Sequence, residues 1–216
     1  MIEAAAGLVL RTRPLTETSL IVHWLTPALG RLATVAKGAR RPNSPFRGKL
    51  DLFYLADFSF SRSRRSELHT LREVSLRQTH SGLRQDLGLL QQACYGAALV
   101  ELATEMETPL AGVFELMIGL IGQLLAQQLQ ATTIFAFELK LLTNLGLKPE
   151  LEKSNLNPGT RQLVKALTEQ DWPVVARLKP TAAQAAELGR FLHGFLIYHL
   201  GRIPKGRDAA VELTET

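Results

Sequence analysis

Hydrophobic and polar positions along the chain follow two different periods. Up to about residue 80, apolar residues alternate with polar ones or form short runs; beyond about residue 82 they recur every three or four positions. Residues 7–12 alternate loosely, end at Arg11 and Arg13 and stop at Pro14. Residues 20–25 (LIVHWL) are almost continuously apolar, with Pro27 and Gly30 supplying the turn that follows. Residues 31–36 are a third run. Residues 53–60 alternate, placing Tyr54, Ala56, Phe58 and Phe60 on one face and Phe53, Leu55, Asp57 and Ser59 on the other. The polar SRSRRS of residues 61–66 reads as a hairpin turn before a fifth strand over residues 68–76. Five short strands without a helix predict a small closed barrel of the oligonucleotide-binding type; the period alone also admits an SH3-like barrel.

The remainder predicts helices. Leu87, Leu90, Cys94 and Ala97 share one spacing, and Val113, Leu116, Met117, Leu120, Ile121, Leu124 and Leu125 give a full stripe. Pro109 fits near the first turn of that second helix. Thr132 or Thr133 is placed to cap a helix carrying Phe135, Leu139 and Leu142 that stops at Gly146. Asn157-Pro158 reads as an N-cap with Pro at the first helical position. Thr181 with Gln184 reads as a capping box for a last helix through Leu188, Leu192, Phe195 and His199, ended by Pro204. The fold class expected is therefore α+β, an N-terminal five-stranded barrel domain over residues 1–80 and an all-α domain over residues 81–216.

Charge sharpens this division. The net charge is +5, yet residues 1–80 hold 13 Lys+Arg against 6 Asp+Glu, a balance of +7, leaving 12 against 14, or −2, for the rest. A basic module joined to a near-neutral one favours a polyanionic partner for the first. With 46% hydrophobic residues the chain has ample core. The lone Cys94 permits no internal disulfide and fits a reducing compartment. The N-terminus lacks the marks of a signal peptide, and residues 110–126, the most apolar stretch, are too short to span a bilayer. A soluble, cytoplasmic protein is expected, with no membrane partner.

The excess charge is densest in residues 36–51, AKGARRPNSPFRGKLD, with Lys37, Arg40, Arg41, Arg47 and Lys49 against Asp51 alone. Two prolines and two glycines make this stretch a loop between strands. Its two readings are a solvated loop and a rim that meets a polyanion. Arg11, Arg13, Arg31, Arg62, Arg64 and Arg65, from strand ends and loops of the same barrel, extend the set of candidate nucleic-acid contacts. Trp24, Phe53 and Tyr54 are candidate stacking platforms, the other reading being barrel core.

The order of residues adds a resemblance. Thr26-Pro27-Ala28-Leu29-Gly30-Arg31-Leu32, then Ala36-Lys37-Gly38-Ala39-Arg40-Arg41, then Ser44 and Arg47-Gly48, resembles the RecO family of bacterial recombination mediators, in which such a turn leads to such a loop after the third strand of an oligonucleotide-binding barrel. Gly7-Leu8-Val9-Leu10 is similar to that family's opening strand, Phe137-Glu138-Leu139-Lys140-Leu141-Leu142 with Leu145-Gly146 to its central helix, and Tyr198-His199-Leu200-Gly201 with Lys205-Gly206-Arg207 to its closing segment. AKGARR is fairly specific; the other anchors gain weight from their order.

The resemblance implies binding of single- and double-stranded DNA without sequence preference, annealing of complementary strands, and help in loading recombinase onto coated single strands, in DNA repair at the nucleoid. It implies the partners RecR, through the barrel, and the acidic, apolar-ended tail of the single-strand-binding protein (SSB), for which Arg161, Lys165, Arg202, Lys205 and Arg207 are the available cations. Many relatives carry a four-cysteine zinc site just after the central helix; residues 149–155 here read PELEKSN, so no metal and no cofactor is expected.

Catalytic motifs are missing from the sequence: it has no G-x-S-x-G, P-loop or H-E-x-x-H. His23 in its apolar strand reads as a hydrogen-bonded structural histidine and Cys94 as core. The chain is thus expected to be a binding protein rather than an enzyme. An RNA-binding ribosome- or translation-associated factor on the same barrel, and an adaptor with an incidental basic loop, are the alternatives.

Overall fold

A computed structural model describes residues 2–127 and 129–212. The chain divides into two compact units, Met1–Ser81 with Thr104–Glu115, and Gly82–Ala103 with Leu116–Thr216. The single cut near residue 80 expected from the sequence omits an excursion: residues 104–115 cluster with the strands.

The first unit holds β1 (Ile2–Pro14), β2 (Leu20–Thr26), β3 (Gly30–Ala36), β4 (Leu55–Ser61) and β5 (Leu68–Gln78). They close in the order β1-β2-β3-β5-β4, all antiparallel except β3 against β5. Closure depends on β1, whose first half pairs with β4 from Ile2↔Ser61 to Leu8↔Leu55 and whose second half pairs with β2 from Leu8↔Leu25 to Pro14↔Leu20. A register shift between Val9 and Arg11 turns the strand from one partner to the other. There Val9 N donates to Tyr54 O (2.9 Å) and Phe53 N donates to Val9 O (2.8 Å), so residues 53–54 carry the pairing on the β4 side one step past Leu8↔Leu55. β1 begins five residues before the expected residue 7, because EAAAG at residues 3–7 has no alternation to read.

Alternation in β4 is as expected, with Ala56, Phe58 and Phe60 buried. They pack with Val9, Val22, Trp24, Leu32, Leu71 and Val74. Trp24 stacks on Phe58 at 4.2 Å, and its indole N–H donates to Thr34 Oγ1 (2.9 Å), so the largest core side chain is buried with its polar atom satisfied. β3 pairs with β5 only over Ala33–Val35. The lower edge of β3 is taken by residues 104–108: Arg31 bridges Met106 in parallel, Glu107 N donates to Arg31 O (2.8 Å), and a Cβ on Gly30 would lie 2.0 Å from Thr108 O. Position 30 therefore admits only glycine while that segment is docked.

The helical part of the chain comprises α1 (Leu87–Ala103), α2 (Ala111–Ala126), α3 (Ala131–Asn144), α4 (Pro158–Glu169), α5 (Trp172–Val175), α6 (Ala182–Leu200) and α7 (Arg207–Val211). α3 is the central one, buried without interruption over residues 132–139. Its Glu138, fully buried, receives a bond from the Tyr95 hydroxyl of α1 (2.5 Å) and two from the Arg207 guanidinium of α7 (2.7 and 2.9 Å). Burial, with Glu138 beside it, pushes the Tyr95 hydroxyl well above the usual phenol range. The Thr181–Gln184 capping box is present in both directions.

Two local expectations are corrected, and a third, the Asn157-Pro158 cap, is met in position. Thr132 and Thr133 lie buried inside α3, whose N-cap Gln130 makes no side-chain cap bond. Asn157 occupies the N-cap position with Pro158 following, but its side chain donates to Glu187 (3.1 Å). Cys94 is exposed, and Leu87 is 71% exposed; α1 buries Gln92, Tyr95, Gly96 and Leu99 instead. Bonds inside the unit moved the buried face: the Gln92 amide nitrogen donates to Ala210 O (2.8 Å), although its oxygen is buried without a partner, and the Tyr95 hydroxyl donates to Glu138.

Candidate nucleic-acid interface

Residues 37–54 are a chain of turns. Arg41 N donates to Gly38 O (3.0 Å), Ser44 N to Arg41 O (3.1 Å), Arg47 N to Ser44 O (3.1 Å) and Lys49 N to Phe46 O (3.1 Å). Two turns need a left-handed residue, and Gly38 (φ 69) and Gly48 (φ 71) supply it. Phe46, 7% exposed, inserts into the barrel core and pins the middle of the loop. The first turn is tied to the β1–β2 connection, where Arg40 N donates to Thr18 O (3.0 Å) and the Arg40 guanidinium to Thr16 O (3.2 Å).

The loop thus presents its cations on an ordered backbone. Lys37, Arg40, Arg41 and Arg47 are exposed, and Lys49 is half-buried. None of the five forms an ion pair among the described residues. Four closely spaced, exposed cations without counter-charge make a strongly positive surface that a polyanion neutralises.

The other candidates fall into different places. Ala36, where the loop begins, pairs with Leu20, and Leu20 pairs with Pro14 at the end of β1. The 62–65 hairpin follows Ser61, which pairs with Ile2 at the beginning of β1. Thirteen residues at ~3.3 Å each separate these positions by roughly 40 Å along the strand, so the cations do not share one rim. At the Ile2 end Arg62 is neutralised: it donates to Glu3 through two nitrogens (2.7 and 3.0 Å) and also pairs with Glu107. That hydrogen bonding holds the Glu3 carboxyl below its usual range. Glu107 Oε1 also lies 2.9 Å from the buried His69 Nε2. Arg31 donates through Nε to Thr104 Oγ1 (2.8 Å) and through another nitrogen to Thr104 O. Arg31 and Arg62 therefore fasten residues 104–107 to the barrel, whereas Arg64 and Arg65 remain exposed. Arg11 and Arg13, exposed on β1, lie near His23 on β2 together with Arg31. Burial first, and these three cations next, push the imidazole down to about 4, leaving it neutral at physiological pH.

Of the candidate platforms, Trp24 and Phe53 are fully buried and cannot meet a base; Tyr54 is half-buried. The carbonyl tethers of Arg40 and the anchoring by Phe46 were missed in the sequence, although a lone aromatic inside a basic loop is a signal for the latter.

In the helical unit the five tail-site cations also divide. Arg207 is a buried partner of Glu138, and Arg161 donates to Leu156 O (2.9 Å) and Ser154 O (2.8 Å). Lys165, Arg202 and Lys205 are exposed. A groove of about 500 Å3 opens between α3, α6 and α7, lined by Phe135, Gly189, Arg190 and His193 among others. Residues 149–155 contain a short 3-10 turn, Leu151–Lys153, and no cluster of three His, Cys, Asp or Glu suited to a metal occurs among the described residues.

Comparison with known proteins gives matches to both units. Residues 1–80 match the family model for the recombination protein O N terminal and residues 84–156 that for its C terminal. The chain is similar to the DNA repair protein RecO of Bacillus subtilis, 34% identical over 226 residues, which cover 100% of this chain and 86% of that protein. It is similar to that of Rhodopirellula baltica, 34% identical over 147 residues, and to that of Exiguobacterium sibiricum, 33% identical over 152 residues. Those two matches take in 68% and 70% of this chain but only 54% and 60% of the relatives.

Proposed function

The chain belongs to the RecO family, and on that premise we propose that it is a recombination mediator of DNA repair whose barrel is of the oligonucleotide-binding type. It binds single- and double-stranded DNA without sequence preference, anneals complementary strands, and helps to load recombinase onto strands coated by the single-strand-binding protein. The observation that supports this beyond the family match is the ordered, unneutralised cation set of residues 37–47. Arginine and lysine aimed at phosphates give affinity that does not depend on base sequence, as a protein acting on any strand requires. No bond is made or broken in this role, so neither catalytic residues nor a cofactor take part, and the protein works in the cytoplasm at the nucleoid. RecR is the barrel's protein partner.

The acidic tail of the single-strand-binding protein is assigned to the helical unit. Its apolar end needs an apolar floor and its carboxylates need cations at the edge. The groove lined by Phe135, Arg190 and His193 offers both, with Arg202 and Lys205 exposed elsewhere on the same unit. Arg207 lines the same groove but is committed to Glu138, and Arg161 donates to Leu156 O and Ser154 O, so the assignment rests on Arg190, Arg202 and Lys205.

Two variants measured with two ligands test this reading. The combined Lys37→Glu, Arg40→Glu and Arg41→Glu variant is expected to lose single-stranded DNA by more than about tenfold at moderate salt and to keep a tail peptide. Arg190→Glu with Arg202→Glu is expected to weaken the peptide and spare naked DNA. Equal loss of both ligands in both variants points instead to one shared basic surface and overturns the division of labour.

A further inference from the structure

The turns of the basic loop fold around a hollow of about 360 Å3. Leu20, Phe46 and Leu50 give it an apolar side, and Arg40, Arg41 and Arg47 give it a cationic one. Its size lies at the small end of small-molecule pockets, which run from about 300 to 1,000 Å3. The arginines are positioned rather than loose. Arg40 donates to Thr16 O and Arg47 to Pro42 O, each at 3.2 Å, and the Arg41 chain lies 3.6 Å from where a Cβ on Gly38 would be. These bonds each use one donor of a group that has five, so most remain available. No carboxylate pairs with any of the three among the described residues.

A surface that only follows a phosphate backbone needs exposed charge and no hollow. A hollow with an apolar wall and convergent guanidinium groups suits an anion that carries a flat apolar body. We infer that this hollow seats one nucleoside 5′-phosphate unit, its base against Leu20, Phe46 and Leu50 and its phosphate on the arginines. The inference rests on the nucleic-acid reading of the loop and deepens it: one unstacked nucleotide is captured in the loop, and the rest of a strand is held by charge. The unit can belong to a strand or be a free mononucleotide.

The test uses the full chain, nitrogen-15-labelled, titrated with dAMP and, at matched ionic strength, with inorganic phosphate. The expected result is that dAMP shifts the Gly38 and Gly48 amides and saturates at a concentration about tenfold below that for phosphate. Equal midpoints, or shifts confined to other residues, overturn the inference. Ala39 and Leu50 both line the hollow, so Ala39→Leu fills it without changing charge, and Leu50→Phe does the same should the first variant fail to fold. Loss of dAMP together with a three- to tenfold loss of strand affinity, at unchanged salt dependence, places an in-strand nucleotide in the hollow. Loss of dAMP with strand affinity intact assigns the hollow to free mononucleotides. Binding of dAMP without any strand binding sinks the DNA reading and leaves the hollow's assignment standing; strand binding with no preference for dAMP over phosphate does the reverse.

Discussion

His23 shows how a single residue ties fold to pH. Its imidazole, half-buried and near Arg11, Arg13 and Arg31, has its pKa pushed down to about 4, against about 6.5 in an unfolded chain. The folded state therefore binds fewer protons than the unfolded state between those values, so stability rises with pH across the window and is fully present above about 6.5. His23→Gln removes the titrating group. Melting curves of both proteins between pH 7 and pH 4 are expected to diverge, the parent losing more stability as pH falls; parallel curves show that His23 is not depressed. At the same scale Arg31, Arg62 and Arg207 show why charge in a sequence overcounts binding cations. Thr104, Glu107 and Glu138 engage them from at least 45 residues away in sequence, and no local pattern reveals such a partner.

Among the elements, the basic loop depends most on a residue that carries no charge. Phe46 converts a stretch of turns into a fixed platform by entering the barrel core. Phe46→Ala leaves every cation in place but frees the loop, and ordering it again on binding costs conformational entropy. Single-stranded DNA affinity should fall severalfold with the salt slope unchanged, and unfolding free energy should fall by about 3 kcal/mol. Calorimetric melting and a binding titration check both; unchanged DNA affinity means that the loop's order is irrelevant to binding. Strands β2 to β5 and the capping box of α6 were legible because alternation and cap chemistry are local. The buried face of α1 was not, because Gln92 and Tyr95 are polar residues whose partners, Ala210 O and Glu138, come from other helices.

At the scale of the whole molecule, the first unit is not a contiguous stretch of sequence. Residues 104–108 complete the edge of β3 that β5 leaves open, and Arg31, Arg62 and Gly30 are all shaped to receive them. A fragment ending at residue 80 exposes that edge, and unpaired edges recruit other chains. Such a fragment should self-associate in sedimentation experiments, whereas addition of a peptide spanning residues 104–115 should reduce the association. A strictly monomeric, stable fragment shows that the segment is dispensable. Alternation, helical spacing and charge density made the barrel, the helical remainder and the basic loop readable in advance. They could not reveal this return of the chain, which rests on pairing between β3 and a segment about 75 residues later.

The most direct test of the central proposal, that residues 37–47 bind DNA through unneutralised cations, is a titration of labelled single-stranded DNA at several salt concentrations. If about four to six phosphates are neutralised, log K should fall against log salt with a slope of roughly −3 to −4, with little difference between base sequences. The combined Lys37→Glu, Arg40→Glu and Arg41→Glu variant should flatten that slope by about two to three units while melting like the parent. A flat salt response in the parent, a strong preference for one sequence, or a variant that binds like the parent would contradict it.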